Sequence, residues 1–234
     1  MESKSPSVGG MAKGGVTLES PAREADPGQS TTAFYEAHAQ EYFDRTFSAD
    51  LSPLYDRFLT YVKPGGRILD AGSGSGRDLK ALHARGYDLV GIDSSPTLAK
   101  IAAEFSGTTC LVMRLEDLAL EGQFDAAWAC ASLLHIRKRK LLSVLRRLRM
   151  TLAQGGILFA SVQLGEGEQQ LPDGRYFAYY TSDEFTRYLY RAGFSVEQTW
   201  TSEDTLQSRR GIRWLNIIAH RRDSTPAAGI SGPA

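Results

Sequence analysis

The run Gly66-Arg67-Ile68-Leu69-Asp70-Ala71-Gly72-Ser73-Gly74-Ser75-Gly76-Arg77-Asp78 decides how this chain folds. Arg67 to Asp70 read as a short buried strand. The glycine-rich turn after them leads into a helix that reaches about Arg85 and stops at Gly86. Glycines let the backbone pass close to a ligand, and the N-terminus of the next helix supplies N–H donors to it. The spacing is G-x-G-x-G. A dinucleotide fingerprint, G-x-G-x-x-G, would need glycine at 77, where Arg77 stands, so a pyrophosphate cradle is disfavoured.

Outward from this turn, helices and strands alternate. Upstream, Tyr35, His38, Ala39 and Tyr42 share one helical face, and a second helix is expected over Pro53 to Val62 with Leu54, Phe58 and Leu59 inward. Downstream, Asp88 to Ile92 form a second strand, and Asp93 at its end is placed to accept from ribose hydroxyls. Ser95 caps a helix with Pro96 in its first turn and Leu98, Ile101, Ala102 and Phe105 on its buried face. Strands follow at Cys110 to Val112 and Phe124 to Ala129, then a helix over about Lys140 to Leu152 and a strand over Ile157 to Val162. Thr181 and Glu184 make a capping box that opens a helix closed by Gly193. Strands Phe194 to Trp200 and Trp214 to Ala219 have no helix between them and should pair antiparallel at the sheet edge. The whole is a doubly wound α/β sheet with helices on both faces.

The 234 residues carry 27 basic and 27 acidic side chains, a formal net charge of zero. That balance disfavours a chain built to wrap nucleic acid or to lie on anionic lipid. The two cysteines, Cys110 and Cys130, form no C-x-x-C and no disulfide framework. With no long apolar run and no secretory signal, a cytoplasmic protein is expected. Residues 1–30 and 222–234 read as flexible segments, with Met11 as an alternative start, around a catalytic domain over 31–221 whose residues 31–63 form a helical lid.

The glycine turn, the acid at the second strand end and the strand-only ending together resemble the class I S-adenosylmethionine-dependent methyltransferases, over about Tyr35 to His220. A nearer likeness is to a bacterial branch close to the tellurite-resistance methyltransferases. It is carried by Gly74-Ser75-Gly76-Arg77-Asp78, Trp128-Ala129-Cys130-Ala131-Ser132-Leu133-Leu134-His135, Asp173-Gly174-Arg175-Tyr176-Phe177 and Trp214-Leu215-Asn216. The resemblance implies a Rossmann-like fold with a seven-stranded, mostly parallel sheet ending in an antiparallel pair, and S-adenosyl-L-methionine as cofactor. It implies that Gly72, Gly74 and Gly76 face the methionine part, Asp93 the ribose and Glu116 with Asp117 the adenine edge. Ala131 or Ser132 would lie beside the sulfonium. Asp70, Ser73, Arg77 and Ser94 complete the expected cofactor set. The run Val162-Gln163-Leu164-Gly165 departs from the branch, which puts the acceptor side apart.

Displacement at a carbon beside a sulfonium needs in-line orientation more than acid–base help. Tyr35 and Tyr42 are expected as cofactor contacts on the lid, and Tyr176 as an aromatic face for the cation; amphipathic packing is the plainer reading of all three. His135 is either a general base or a residue ordering its turn, and Arg175 either meets a carboxylate or orders its loop. Ser132 joins Tyr176 and His135 as a catalytic candidate. No metal site is expected. The basic run Arg137-Lys138-Arg139-Lys140, with Arg146, Arg147 and Arg149, is a solvated face or a dock for an acidic partner.

Three functions fit this set. The first is methyl transfer to a small-molecule acceptor. The second is cyclisation of the cofactor to azetidine-2-carboxylate and methylthioadenosine, as in enzymes of secondary metabolite biosynthesis that resemble this branch. The third is a non-catalytic cofactor-binding regulator. Only the first needs a separate acceptor pocket.

Overall fold

The computed structural model describes residues 27–204 and 211–222. The expected flexible segments and the alternative start at Met11 lie outside them, except that Pro27 to Ser30 open helix α1 (Pro27–Ala37) and Arg222 bonds Gly193 O through its N–H. Helix α2 (Ala39–Thr46) follows at once. The single helix expected through Tyr35 and Tyr42 is therefore two, broken at His38 (φ −119°, ψ 25°), whose ring nitrogen Nδ1 bonds the Phe34 carbonyl at 2.9 Å. Helix α3 (Ser52–Leu59) buries Tyr55 and Phe58, and Leu54 and Leu59 only partly.

Seven strands make the main sheet, in the order β3 (Thr109–Val112), β2 (Asp88–Asp93), β1 (Arg67–Ala71), β4 (Phe124–Cys130), β5 (Leu152–Gln163), β9 (Arg213–Arg221) and β8 (Phe194–Glu203). Pairs from β3 through to β5 are parallel, and β9 runs antiparallel to both β5 and β8. The expected antiparallel pair stands at the edge of the sheet, with β8 outermost and β9 between β5 and β8. A small ribbon, β6 (Glu168–Gln170) with β7 (Tyr176–Ala178), was not anticipated. Its strands are three residues long and carry no alternating pattern.

Helices α3, α4 (Arg77–His83) and α5 (Pro96–Ser106) cover one face, over a core of Phe58, Leu79, Leu82, Trp128 and Phe159. Trp128 stacks on Phe159 with centroids 3.9 Å apart. Helices α6 (Lys138–Thr151) and α7 (Ser182–Ala192) cover the other face through Leu141, Leu145, Phe185 and Leu189. Ser95 caps α5 as expected, accepting from Leu98 N at 3.1 Å. Thr181 accepts from Glu184 N, while the Glu184 carboxylate turns to Lys138 instead of closing the capping box. No helix among the described residues is long and apolar enough to cross a membrane.

Because β1 pairs with β2 on one side and β4 on the other, the connections leaving β1 and β4 diverge. A crevice opens at their carboxyl ends, where ligands of such sheets sit.

Candidate functional site

The crevice begins at the glycine turn. Gly72 and Ser73 donate their backbone N–H groups to Ile92 O, each at 2.9 Å, so the turn folds back over the end of β2. Gly72, Gly74 and Gly76 all have positive φ, which L side chains rarely adopt. Each serves a different neighbour. A Cβ on Gly72 would lie 2.4 Å from the Cβ of Ser132, and one on Gly74 would lie 3.0 Å from the Tyr42 ring. One on Gly76 would meet the backbone of Ala102 at 2.6 Å. Gly76 thus seats α4 against α5 and does not line the crevice, contrary to the expectation that it faces the ligand.

The resulting cleft has a volume of about 100 Å³. Asp93 and Ser94 stand at the end of β2, and Ile92, Leu98, Met113 and Leu115 supply an apolar slot. Glu116, Ala131, Ser132, His135, Tyr35 and Tyr42 complete the wall, together with Gly72 and Gly74. Asp93 is held by Gly74 N on one oxygen and Ser95 N on the other, both at 2.9 Å. Burial pushes its carboxyl up, against the backbone N–H groups of Ser95, Gly74 and Ser94. Glu116 pairs with Arg114 at 2.9 Å and Lys140 at 3.7 Å.

Helix α1 lies across this cleft and is tied down by side chains. Glu36 accepts from Ser95 Oγ at 2.5 Å and from Thr97 N at 3.1 Å, and it also bonds the Thr97 hydroxyl. Thr32 meets Ser94 at 2.9 Å, and Tyr176 N donates to Thr31 at 2.9 Å. His135 Nδ1 is 2.7 Å from the Tyr176 carbonyl, which can only accept, so Nδ1 carries the proton. Nε2 lies 3.0 Å from the Tyr35 hydroxyl, and in the tautomer with the proton on Nδ1 it accepts from that hydroxyl.

Other expected site residues lie elsewhere. The phenol of Tyr176 turns away to Glu168, and only its backbone reaches the site, through His135 and Thr31. Arg175 is spent on Asp173 at 2.6 Å, with its guanidinium over Phe34, and it also hydrogen-bonds Tyr35. Ser73 faces the Cys110 sulfur at 3.0 Å. Asp117 is exposed and outside the cleft wall. The basic run is also partly consumed. Lys138 pairs with Glu184, Arg147 donates to Leu118 O, and Arg149 donates to the carbonyls of Gly193 and Arg222. Among the described residues no three His, Cys, Asp or Glu side chains come together as a metal site.

Sequence reasoning did not anticipate a second cavity, of about 210 Å³, on the other side of Ala131 and Tyr42, which line both spaces. Leu51, Pro53, Leu54 and Trp214 give it apolar walls. Cys130, Ser161, Asn216 and Arg77 give it polar ones, and Asp50, Glu203 and Asp204 also line it. Arg77, expected at the cofactor, belongs here. Ala131 itself has φ +56°, the one non-glycine positive φ among the described residues, and its N–H bonds Ser161 O at 3.0 Å. Polar signals for this cavity are scattered through the sequence as isolated residues, from Asp50 and Arg77 to Cys130, Ser161, Glu203 and Asn216.

The cleft fits a nucleoside with a short charged tail. A carboxylate sits where a sugar would lie, an apolar slot accepts a planar ring, and the glycine turn leaves no room for a Cβ at Gly72. Ser132 Oγ in its wall, and Asp70 Oδ2 at the end of β1 outside the wall, are buried and have no hydrogen-bond partner. Such atoms are costly unless a ligand or water completes them.

A family model described as "Methyltransferase domain" matches residues 41–199. The ubiquinone biosynthesis O-methyltransferase of Xanthomonas campestris pv. campestris is 35% identical over 105 residues, 42% of this chain and 43% of that one. The matched stretch thus spans less than half the length of these curated relatives. Among solved structures, the 1,6-didemethyltoxoflavin-N1-methyltransferase of Burkholderia thailandensis, with bound 1,6-didemethyltoxoflavin and S-adenosylhomocysteine, superposes with a TM-score of 0.72. It is 20% identical and covers 88% of this chain and 94% of its own. The [4+2]-cyclase SpnF superposes at 0.66, with 17% identity over 84% of this chain and 97% of its own. At these identities the two structures establish the fold alone.

Proposed function

The chain belongs to the methyltransferase-domain family, the class I S-adenosyl-L-methionine-dependent methyltransferases, and on that premise we propose that it moves the cofactor's methyl group to a small-molecule acceptor held in the second cavity. The observation that carries this reading is the adjacency of two spaces that share Ala131 and Tyr42. Intramolecular cyclisation of the cofactor would leave the second cavity without a use, and a regulator would need neither a shaped cavity nor a shared wall.

When bound, S-adenosyl-L-methionine supplies an electrophilic methyl on a sulfonium sulfur. The chain's own residues do the rest. Asp93 and Ser94 hold the sugar, Ile92, Met113 and Leu115 flank the base, and Ser132 Oγ with Asp70 waits at the tail. Tyr35 and Tyr42, edge to face at 5.1 Å, close the roof and exclude water, with Glu36 locking α1 to the start of α5. Ala131, small and fixed by Ser161, leaves the line between the cavities open. His135 serves here as the residue that positions Tyr35, since its Nε2 is turned to that hydroxyl. Orientation of this kind supplies up to roughly 7–11 kcal/mol of a barrier.

The test is incubation with S-adenosyl-L-methionine, first alone and then with a panel of small aromatic acceptors. S-adenosylhomocysteine formed only with an acceptor supports methyl transfer. Methylthioadenosine formed without one replaces it by cyclisation. Tight binding with no turnover across the panel leaves the regulator.

A further inference from the structure

We infer that the second cavity selects an acceptor bearing a single carboxylate, which seats on the guanidinium of Arg77. The inference rests on the methyl-transfer reading above, because it places the acceptor in that cavity.

Arg77 is the first residue of α4, and its side chain is 21% exposed. Its Nε and Nη2 hold the two oxygens of Asp78 at 2.6 and 3.0 Å, a side-on fork. Each Asp78 oxygen has a second donor: Tyr55 OH at 2.5 Å on one and Trp128 Nε1 at 2.8 Å on the other. The Asp78 charge is therefore shared among three side chains and saturated. Burial opposes the charge on Arg77, and the Asp78 carboxylate more than offsets it, so the guanidinium stays a cation.

A guanidinium has five N–H groups, and this fork uses two. The parallel N–H pair of Nη1 and Nη2 forms a second fork on its outer edge, of the shape that fits a carboxylate. Besides Asp78, the Cys130 thiol, a weak partner, hydrogen-bonds that guanidinium, and Tyr55 and Asp70 lie near enough to feel its charge. Leu51, Pro53, Leu54 and Trp214 give the cavity an apolar side that suits a ring, while Ser161 and Asn216 add neutral polar groups. The acids Asp50, Glu203 and Asp204 repel a second negative group, so a dianion or a phosphate is disfavoured. Arg77 does not line the cofactor cleft. The carboxylate it takes thus comes from the acceptor and not from the cofactor's tail.

The test uses the full chain saturated with S-adenosylhomocysteine and calorimetry with matched probes: benzoate, 4-hydroxybenzoate and phenylacetate, each against its amide, and phenyl phosphate. At least one acid should bind about tenfold or more tightly than its amide, and phenyl phosphate more weakly than that acid. In Arg77→Lys, which keeps the charge on Asp78 but loses the fork, the acid–amide ratio should fall to roughly threefold or less. Leu54→Trp should abolish probe binding. Both variants should keep S-adenosylhomocysteine affinity within about twofold. Equal binding of acids and amides, or no binding by any acid, overturns the inference. Loss of S-adenosylhomocysteine affinity in a folded Arg77→Lys also overturns it, by assigning the guanidinium to the cofactor's carboxylate. Methylthioadenosine release from the cofactor alone would instead defeat the methyl-transfer reading, and it is measured without any probe.

Discussion

The hydroxyl of Tyr35 and Nε2 of His135 lie 3.0 Å apart although 100 positions separate them in the chain, and the Tyr176 carbonyl on the far side of the ring fixes which nitrogen accepts. The lid helix is thereby keyed to the turn after β4. Tyr35→Phe removes the bond and keeps the ring contact with Tyr42. A neutral hydrogen bond contributes about 0.5–1.5 kcal/mol, so S-adenosylhomocysteine affinity by calorimetry should fall roughly two- to tenfold, with little change in melting temperature. An unchanged affinity would show that α1 closes without this contact.

Glu36 ties α1 to α5, and its hydrogen bonds from the Ser95 and Thr97 side chains and Thr97 N hold its carboxyl below the ordinary 4.5. A group with a depressed folded pKa contributes above its ordinary value and loses that contribution as pH falls through the folded one. Glu36→Gln should therefore raise the Michaelis constant for the cofactor at pH 7. Variant and wild type should converge below pH 4.5, toward the depressed value. A pH-independent gap between them would deny Glu36 this role.

Asp70 behaves with the opposite sign. Burial, with Asp78 and Asp93 nearby, pushes its carboxyl well above the usual carboxylate range, so the folded chain holds a proton that the unfolded chain releases. Stability then declines as pH rises above 3.8. Asp70→Asn should melt higher than wild type at pH 7, with the gap closing toward pH 3.8. A variant that melts lower at neutral pH would contradict this.

Gly74 and Gly76 separate binding from folding. Gly76→Ala drives a Cβ into the Ala102 backbone, which cannot yield, and should cost about 2 kcal/mol or more in urea unfolding. Gly74→Ala meets the end of the Tyr42 side chain, which can swing aside. The second variant should keep most of its stability and lose cofactor affinity through a displaced lid. Equal unfolding midpoints for the two would refute the distinction.

Ala131 stores strain between the cavities. A non-glycine residue in the left-handed region costs about 1–2 kcal/mol. Ala131→Gly should raise the melting temperature while lowering turnover, since the shared wall loses its methyl group and its rigidity. A gain in turnover would mean the strain has no part in alignment.

Much of the scaffold was readable because local chemistry and fold agree. Ser95 caps α5, Gly193 closes α7, and β8 and β9 pair antiparallel. The break at His38 was not readable, since an i, i+3, i+4, i+7 stripe survives a kink and the ring's bond to Phe34 O leaves no pattern. Within the site, strand-end positions such as Asp93 were legible because β2 fixes them. Arg77, Tyr176 and Ser73 were not, because a residue's position in a loop or first helical turn does not reveal which way its side chain leaves. The hydroxyl of Tyr176 goes to Glu168, and the Ser73 side chain to Cys110.

The insertion of β9 between β5 and β8 has a bearing on how the molecule is made. Residues 213–221 occupy an interior slot bounded on both sides by strands that precede them in the chain and are synthesised earlier. On the ribosome β5 must keep an exposed apolar edge, and β8 has no neighbour, until β9 emerges. Closure of the sheet is thus a late, long-range event, of the kind that folds slowly and exposes nascent chains to association. A chain stopped before Arg213 would lose an inner plank of its sheet instead of a border.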